Sequence, residues 1–545
     1  MNKFTLNLLL IIPLAISPFS LDAFMIPKVT IFVIYGCIAL FYLTLNFKKI
    51  YIKTDLRLKI LFLLFSVVTM FSFISSKTPW EQQFYGREGR NNGLVVFISL
   101  LLLMILSAQI NIFNFKQKIN NYIAASSLVV LVYSCLQLLG LDPITWDTIN
   151  IKMFSTLGNP NFLSAFLASS LVPVLIYINS HKVLASMRKD LKLFLIFLIS
   201  LVYGYIVFKS KSYQGSIIVI LSLLLLVILL SYKFKKRVFT IMSSIVFFLV
   251  VVIGSLGTLN LGPLGSILYK SSVISRGDFY RSAVKMGNDN WLHGVGIDGF
   301  GDYYLAYRDS VAASRSNAEY VDTAHNYFLD FFTNMGVGGL VLYISLILLT
   351  LVGFIKLLRK STFDIYIVAI FIFWIGIQIQ SLISPTFLVF LMYNFAFAGF
   401  VLNNTKNQEL KNDVKPFFKS NANKISVVLG LVLAISILLP FIEKDRSLLI
   451  AQRGDNLESV LTAAGSFPKS IVTYNRIMQA LANAGPPNQI ILEVAREAVL
   501  FNPRTLPGQF TIMTSEYSSN EEKQFAYRVL VDLDPNNPIV EKYKP

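Results

Sequence analysis

The stretch GSIIVILSLLLLVILLSY, residues 215–232, runs for eighteen residues without a charged side chain. The hydrocarbon core of a bilayer takes about 20 apolar residues of helix, so this stretch is typical of a membrane span. Twelve similar runs accompany it: Phe4–Phe19, Val29–Leu45, Ile60–Ile74, Leu94–Ile110, Tyr122–Leu139, Phe162–Ile178, Leu193–Phe208, Val238–Leu256, part of Tyr327–Leu358, Ile365–Ile379, Phe387–Leu402 and Ile425–Leu439. We therefore predict an all-α, polytopic transmembrane bundle of 12 to 13 spans, whose first span is an uncleaved anchor.

The composition agrees with a membrane protein. Hydrophobic residues make up 55% of the 545 residues and charged residues only 14%, whereas a soluble domain carries about a quarter charged residues. The two cysteines, Cys37 and Cys135, lie inside apolar runs. These values exclude an ordinary soluble enzyme, a disordered chain and a disulfide scaffold.

The net charge of +18 reflects topology rather than nucleic-acid binding, and we expect no nucleic-acid partner. Half of the 48 Lys and Arg residues fall at the N-terminus and in every second connection between spans. The positive-inside rule makes that side cytoplasmic. The long connections 75–93, 140–161 and 257–323 are then extracytoplasmic, and so is the C-terminus.

Two domains follow from the change in composition near residue 443. Residues 1–442 form the membrane domain, which includes the loop 257–323, and residues 443–545 form a small helical domain punctuated by prolines. Within it, Ala495–Pro503 and Tyr527–Pro538 end alike, in the manner of tetratricopeptide-type hairpins. An irregular helical cap without a repeat is the alternative.

Three extracytoplasmic stretches concentrate polar residues next to the membrane. The first is FYGREGRNNGL (84–94), with Arg87 and Arg90, and the second is FSTLGNPNFL (154–163), with Asn159 and Asn161. The third, residues 276–339, combines a helical segment, a glycine-rich turn and the pair His325–Asn326. We predict that the chemistry lies here, with His325 accepting a proton from a hydroxyl and the glycines 336–339 allowing close helix packing.

The order of these residues resembles the bacterial O-antigen ligase and O-antigen polymerase superfamily, which includes protein O-oligosaccharyltransferases. The resemblance rests on HN-x9-G-x-x-G and on an upstream R-x3-aromatic-x2-A…GVG-x3-F pattern: His325, Asn326, Gly336, Gly339, Arg276, Tyr280, Ala283, Gly294, Val295, Gly296 and Phe300. LGNPNFL at 157–163 and R-x-x-G-L at 90–94 are similar landmarks, and tetratricopeptide-like tails also occur in the group.

The resemblance implies a metal-independent glycosyltransferase without a cofactor in the bacterial plasma (inner) membrane. Its donor is a glycan on undecaprenyl pyrophosphate, and its acceptor is a hydroxyl of lipid A core, a growing glycan, a protein or a wall polymer. Arginine forks suit a pyrophosphate leaving group. His325 and Arg276 are the predicted catalytic residues, and the predicted substrate-binding residues are Arg281, Arg87, Arg90, Asn159, Asn161 and Asn326. Membrane lipids and a protein partner for the C-terminal domain complete the expected partners.

One departure concerns the turn KSKSYQGS after the seventh span, where relatives often carry Ser-Arg-Gly. Lys209 or Lys211 would take the place of that arginine, with Gln214 beside them, although a lysine does not provide a bidentate fork.

Simpler interpretations stay open at each position. Arg87 and Arg90 also suit lipid phosphates, Asn159 also suits a helix start, and Arg281 also suits a solvated helix face. The loose spacing of the aspartates between 278 and 302 predicts no metal site. At the level of function, the alternatives are a lipid-linked glycan transporter or flippase and a membrane-anchored adaptor.

Overall fold

The computed structural model describes residues 1–146, 153–180, 187–315, 321–405, 420–453, 457–484 and 488–537. Every regular element in these ranges is helical, which confirms the predicted all-α fold. Besides a short 3-10 helix (Ser155–Leu157), the α-helices in chain order are α1 (Asn2–Leu14), α2 (Met25–Leu45), α3 (Phe47–Lys53), α4 (Leu56–Ser75), α5 (Trp80–Tyr85), α6 (Leu94–Ser107), α7 (Ile112–Leu138), α8 (Pro160–Ser180), α9 (Lys189–Lys209), α10 (Tyr213–Lys233), α11 (Arg237–Thr258), α12 (Gly265–Leu268), α13 (Ser271–Asp289), α14 (Phe300–Tyr307), α15 (Ser310–Arg315), α16 (Tyr327–Lys360), α17 (Ile365–Ser381), α18 (Leu388–Asn404), α19 (Asn421–Arg453), α20 (Leu457–Gly465), α21 (Ile471–Ala484), α22 (Asn488–Phe501), α23 (Leu506–Thr514) and α24 (Asn520–Leu533).

The apolar helices form a membrane bundle. Within the described ranges, nine helices are long and apolar enough to cross a bilayer: α2, α4, α7, α8, α9, α10, α11, α16 and α19. Four shorter apolar helices, α1, α6, α17 and α18, pack with them in one continuous core. Each of the thirteen predicted runs overlaps one of these helices over most of its length, which confirms the polytopic bundle. The predicted run Phe4–Phe19 is too long, because α1 ends at Leu14.

Helix α18 lies at the centre of the bundle, and α11 lies at its edge. All 17 residues of α18 are buried, and Gly399 packs so closely against the Met104 carbonyl of α6 that a Cβ would not fit. Helix α11 buries none of its large apolar side chains, and most of them are exposed. An apolar helix can remain exposed in this way when lipid covers it.

The basic connections meet at one end of the bundle, which we call the basic face. Arg57 donates to Thr405 Oγ1 at 2.9 Å, and Lys116 forms an ion pair with Asp364 at 2.6 Å. These contacts join connections between spans that the distribution of Lys and Arg predicts to lie on the same side of the membrane. The polar stretches selected from the sequence lie at the other end, which we call the site face.

Helix α16 is broken at Gly336, whose φ is +67°. The turn after α13 fills the break, since Val295 N–H donates to Thr333 O at 2.8 Å and Val337 N–H donates to Trp291 O at 2.7 Å. A Cβ at Gly336 would collide with the Trp291 carbonyl. The prediction that the glycines 336–339 serve helix packing is therefore wrong for Gly336, which forms a kink, although Gly338 does lie against Val68 of α4.

The C-terminal helices α20 to α24 pack each on the next and share their own group of buried apolar residues. Helix α19 runs continuously through the boundary predicted at 442/443, with Pro440 inside it. We call the segment 445–537 the tail. The tetratricopeptide-like character of this segment stays a prediction.

Candidate functional site

A cavity of about 530 Å³ opens on the site face between the membrane bundle and the tail. Segments that are far apart in sequence contribute to its wall: Arg87, Glu88, Arg90, Asn161, Ser272, Ser275, Arg276, Phe279, Val321, Asp322, His325 and Val472. All three polar stretches selected from the sequence therefore reach one cavity. We call it the donor cavity, for the role proposed below.

The loop 86–93 carries Arg87 and Arg90. Two of its glycines, Gly86 (φ +85°) and Gly89 (φ +88°), have left-handed backbone conformations that favour glycine. The loop is held from the other side by the Asp298 carboxylate, which accepts from the backbone N–H of Arg87 at 2.7 Å and of Asn92 at 3.2 Å. Burial raises the pKa of Asp298 to about 6, so this carboxylate still accepts these bonds as an anion at neutral pH. The loop is thus a preformed element of the site.

The two arginines of this loop have different environments. The Arg87 side chain is 2% exposed and forms an ion pair with Asp302 at 2.5 Å. Arg90 donates two hydrogen bonds to the Asp322 carboxylate, from Nε at 2.8 Å and from Nη2 at 3.0 Å. Burial acts to raise the pKa of Asp322, but the Arg90 guanidinium outweighs it and keeps this pKa below its usual range. Arg87 therefore supports the loop, whereas Arg90 forms part of the charged wall.

Arg276 projects from the first half of α13 into the donor cavity. Among the described residues it has no hydrogen bond or ion pair to a protein group. Burial lowers its pKa, and the group stays charged because guanidinium is so weak an acid. A half-buried arginine without a carboxylate partner provides a site for an anion.

His325 lies two residues before the start of α16, and its backbone has a left-handed conformation with φ +56°. Its Nδ1 is 3.3 Å from both oxygens of Thr323, and its ring centroid lies 5.2 Å from that of Phe279. Its Nε2 makes no hydrogen bond within the described chain. Burial, and after it the charge of Arg90, lowers the pKa of His325 from 6.5 to about 4. The imidazole is therefore neutral at physiological pH, with one nitrogen anchored and the other available.

The predicted asparagines divide into two kinds. Asn326 caps α16 by accepting from Phe328 and Leu329, and Asn159 accepts from the Asn161 backbone at 2.8 Å. Both therefore lie at helix starts, which for Asn159 is the simpler interpretation given above. Asn161 lines the donor cavity, and its side-chain amide makes no hydrogen bond to a described residue.

Four other predicted residues lie apart from the cavity wall. Arg281 is half-exposed and pairs with Asp278 and Asp309. Lys209 and Lys211 are exposed, with Lys209 stacked near the Tyr205 ring. Gln214 is buried and donates to the Asn161 carbonyl at 3.1 Å, so it supports the start of α8.

Sequence reasoning missed Glu88, Asp322 and Val472. The first two carried a usable signal, because arginines that share a poorly hydrated site need carboxylates nearby. Val472 gave none, since nothing in the sequence joins the tail to the loop 86–93. Among the described residues, no group of three His, Cys, Asp or Glu side chains is placed to hold a metal ion.

The comparisons with known proteins give one family. Residues 195–344 match the family model described as O-antigen ligase. The matched segment runs from α9 to the middle of α16 and includes Arg276 and His325, but neither the loop 86–93 nor the tail. No curated protein matches the chain. Residues 195–344 are thus similar to the O-antigen ligase family, in agreement with the resemblance found in the sequence.

Proposed function

We propose that the protein transfers a glycan from undecaprenyl pyrophosphate to a hydroxyl acceptor at the outer face of the bacterial plasma membrane. The observation that carries the proposal is the meeting of Arg276, Arg90 and His325 at one cavity on the site face. The basic face would be cytoplasmic under the positive-inside rule, which makes the site face extracytoplasmic.

The donor would place its pyrophosphate between Arg276 and Arg90. Among the described residues Arg276 has no carboxylate partner to release first, so its charge is available to a phosphate oxygen. Arg90 is held in a fixed direction by Asp322, which reduces the reorganisation needed when charge develops on the leaving group. The two guanidinium groups stay charged at every physiological pH. Asn161 would bind a sugar hydroxyl of the donor, because its side-chain amide lines the cavity and makes no hydrogen bond to a described residue.

His325 would act on the acceptor. The acceptor oxygen attacks the anomeric carbon, a new C–O bond forms, and the bond from that carbon to the phosphate oxygen breaks. The electron pair leaves with the pyrophosphate, and the hydroxyl proton passes to Nε2 of His325. An imidazole whose pKa is about 4 is a weak base, but the negative charge of a bound pyrophosphate would raise that pKa. His325 would therefore become an effective base only when the donor is present.

The test compares two pairs of matched variants. Arg276 and Arg281 lie on α13, five residues apart, and only Arg276 lines the donor cavity. His293 is the matched control for His325, since its Nδ1 contacts the Gly294 carbonyl away from this cavity. We expect Arg276→Gln and His325→Asn to abolish transfer from a carrier-linked glycan in membranes, whereas Arg281→Gln and His293→Asn keep it. Wild-type transfer in the first two variants, with all four inserted in the membrane, would refute the proposal.

A further inference from the structure

The tail contacts the arginine-bearing loop through one carboxylate. Glu88, between Arg87 and Arg90 in the chain, accepts from Thr473 Oγ1 and from Arg476 Nη1, each at 2.7 Å. Lys444 of α19 adds a second positive partner, at 3.5 Å. Burial acts to raise the pKa of Glu88, but these cations outweigh it and lower that pKa, so the carboxylate stays ionised.

Two further contacts hold the tail to helix α14 and to Arg308, the residue that follows it. Asn502, just after α22, donates to Asp302 at 2.8 Å, and the other oxygen of Asp302 holds Arg87. Asp534, just after α24, forms an ion pair with Arg308 at 2.6 Å, and both side chains are only 1% exposed. Both positions lie at the ends of the two stretches, Ala495–Pro503 and Tyr527–Pro538, that end in the manner of tetratricopeptide-type hairpins. They serve here as docking contacts.

The tail also reaches the donor cavity itself. Val472 is part of the cavity wall, immediately before Thr473, which bonds Glu88. Well-satisfied buried ion pairs contribute little net stability, but they fix one arrangement strongly, because each partner left alone would be a desolvated charge. These contacts therefore indicate that the tail is held in one position against the membrane domain and is not a module on a flexible linker.

We propose that the tail is a fixed wall of the donor cavity and that Glu88 is a positioning residue, through which the tail holds Arg90 against the pyrophosphate. This inference rests on the proposed function, because it takes the cavity to bind pyrophosphate. It assigns Glu88 no contact with the substrate.

The decisive variant is Glu88→Gln, because two interpretations predict opposite signs. If Glu88 acted only as a nearby negative charge, its removal would strengthen the binding of an anion. If it positions Arg90, its removal should weaken the binding of inorganic pyrophosphate to the full chain in nanodiscs by about tenfold, within the usual range for coupled neighbours. The matched control is Arg496→Gln, since Arg496 pairs with Glu522 at the exposed surface of the tail.

A double-mutant cycle tests whether Glu88 acts on pyrophosphate binding through Arg90. When Arg90→Gln is already present, adding Glu88→Gln should change the affinity less than twofold, because the residue to be positioned is gone. A full additional loss in the double variant would overturn the positioning role.

A second variant keeps the test informative if Glu88→Gln disturbs folding. Val472→Arg adds a cation to the cavity wall from the tail side, so it should tighten pyrophosphate binding severalfold. Gln479→Arg, an exposed position on α21, adds the same charge elsewhere and should change nothing. Equal affinities for these two variants would overturn the placement of the tail.

The outcomes separate this inference from the proposed function. If wild type binds pyrophosphate and Arg276→Gln weakens binding, but Glu88→Gln strengthens it or leaves it unchanged, the inference fails and the proposed function stands. If wild type does not bind pyrophosphate, both fail.

Discussion

Protonation of His325 should be strongly unfavourable in the folded chain. Burial and the Arg90 charge lower its pKa from 6.5 to about 4, and this difference corresponds to roughly 3 kcal/mol at about 1.4 kcal/mol per pKa unit. At pH 5.5 an ordinary histidine is about 90% protonated, whereas His325 should be only about 3% protonated. The difference is large enough to be read directly from a titration.

The assay is NMR of the purified chain labelled with 13C at histidine. The chain has only three histidines, so His181→Asn and His293→Asn leave the His325 signal assigned. We expect that signal to remain in its neutral position from pH 8 to pH 5. Inorganic pyrophosphate should shift the titration of His325 upward, because an anion next to the ring favours the imidazolium.

The controls address each physical cause. Arg276→Gln should raise the pKa of His325 slightly, since Arg276 is the smallest of the causes that lower it, and the pKa should stay below 6.5 because burial dominates. Titration of His325 between pH 6 and 7 in the free enzyme would refute the buried environment described here. An unchanged titration with saturating pyrophosphate would refute its role as a donor-activated base.

Three further predictions concern the fold and its orientation. Gly336→Ala should destabilise the membrane domain by about 1–2 kcal/mol or more, since the φ of Gly336 is +67°. Gly254→Ala on α11 should not, because a Cβ there meets open space. Thermal unfolding in detergent compares the two variants. Asp534→Asn should lower the unfolding temperature of the tail, because it removes the carboxylate from an ion pair with Arg308 in which both side chains are 1% exposed, at a cost of about 3–5 kcal/mol. Glu522→Gln, at the surface of the tail, should not lower it. A topology reporter fused after residue 545 should be active outside the cell, and one inserted within 403–423 should be active inside; the opposite pattern would contradict the proposed orientation.

The membrane helices could be predicted from the sequence because bilayer thickness sets both the length and the composition of a span. Residues 215–232 show this directly, since the helix found there is α10. The meeting of Arg90, Arg276 and His325 at one face also followed from topology alone. Each residue lies in a connection that alternation of the spans places on the same side.

The remaining parts of the site depend on tertiary contacts that no local pattern contains. Arg276 and Arg281 look alike in sequence, and only the position of Asp278 and Asp309 makes one a paired surface residue. The kink at Gly336 depends on the turn 290–297 bonding into a helix that begins thirty residues later. The tail contacts Glu88 across nearly four hundred residues of chain, and a single sequence carries no signal at that range.

The most direct test of the central claim is the glycan profile of a deletion strain complemented with wild type, Arg276→Gln or Arg281→Gln. We predict that wild type and Arg281→Gln restore the mature glycan, whereas the deletion strain and Arg276→Gln lack it. Carrier-linked, full-length polymer in the deficient strains would identify a ligase, and single repeat units attached to their acceptor would identify a polymerase. An unchanged glycan profile in the deletion strain would contradict a glycosyl-transfer role and favour a transporter or a membrane anchor.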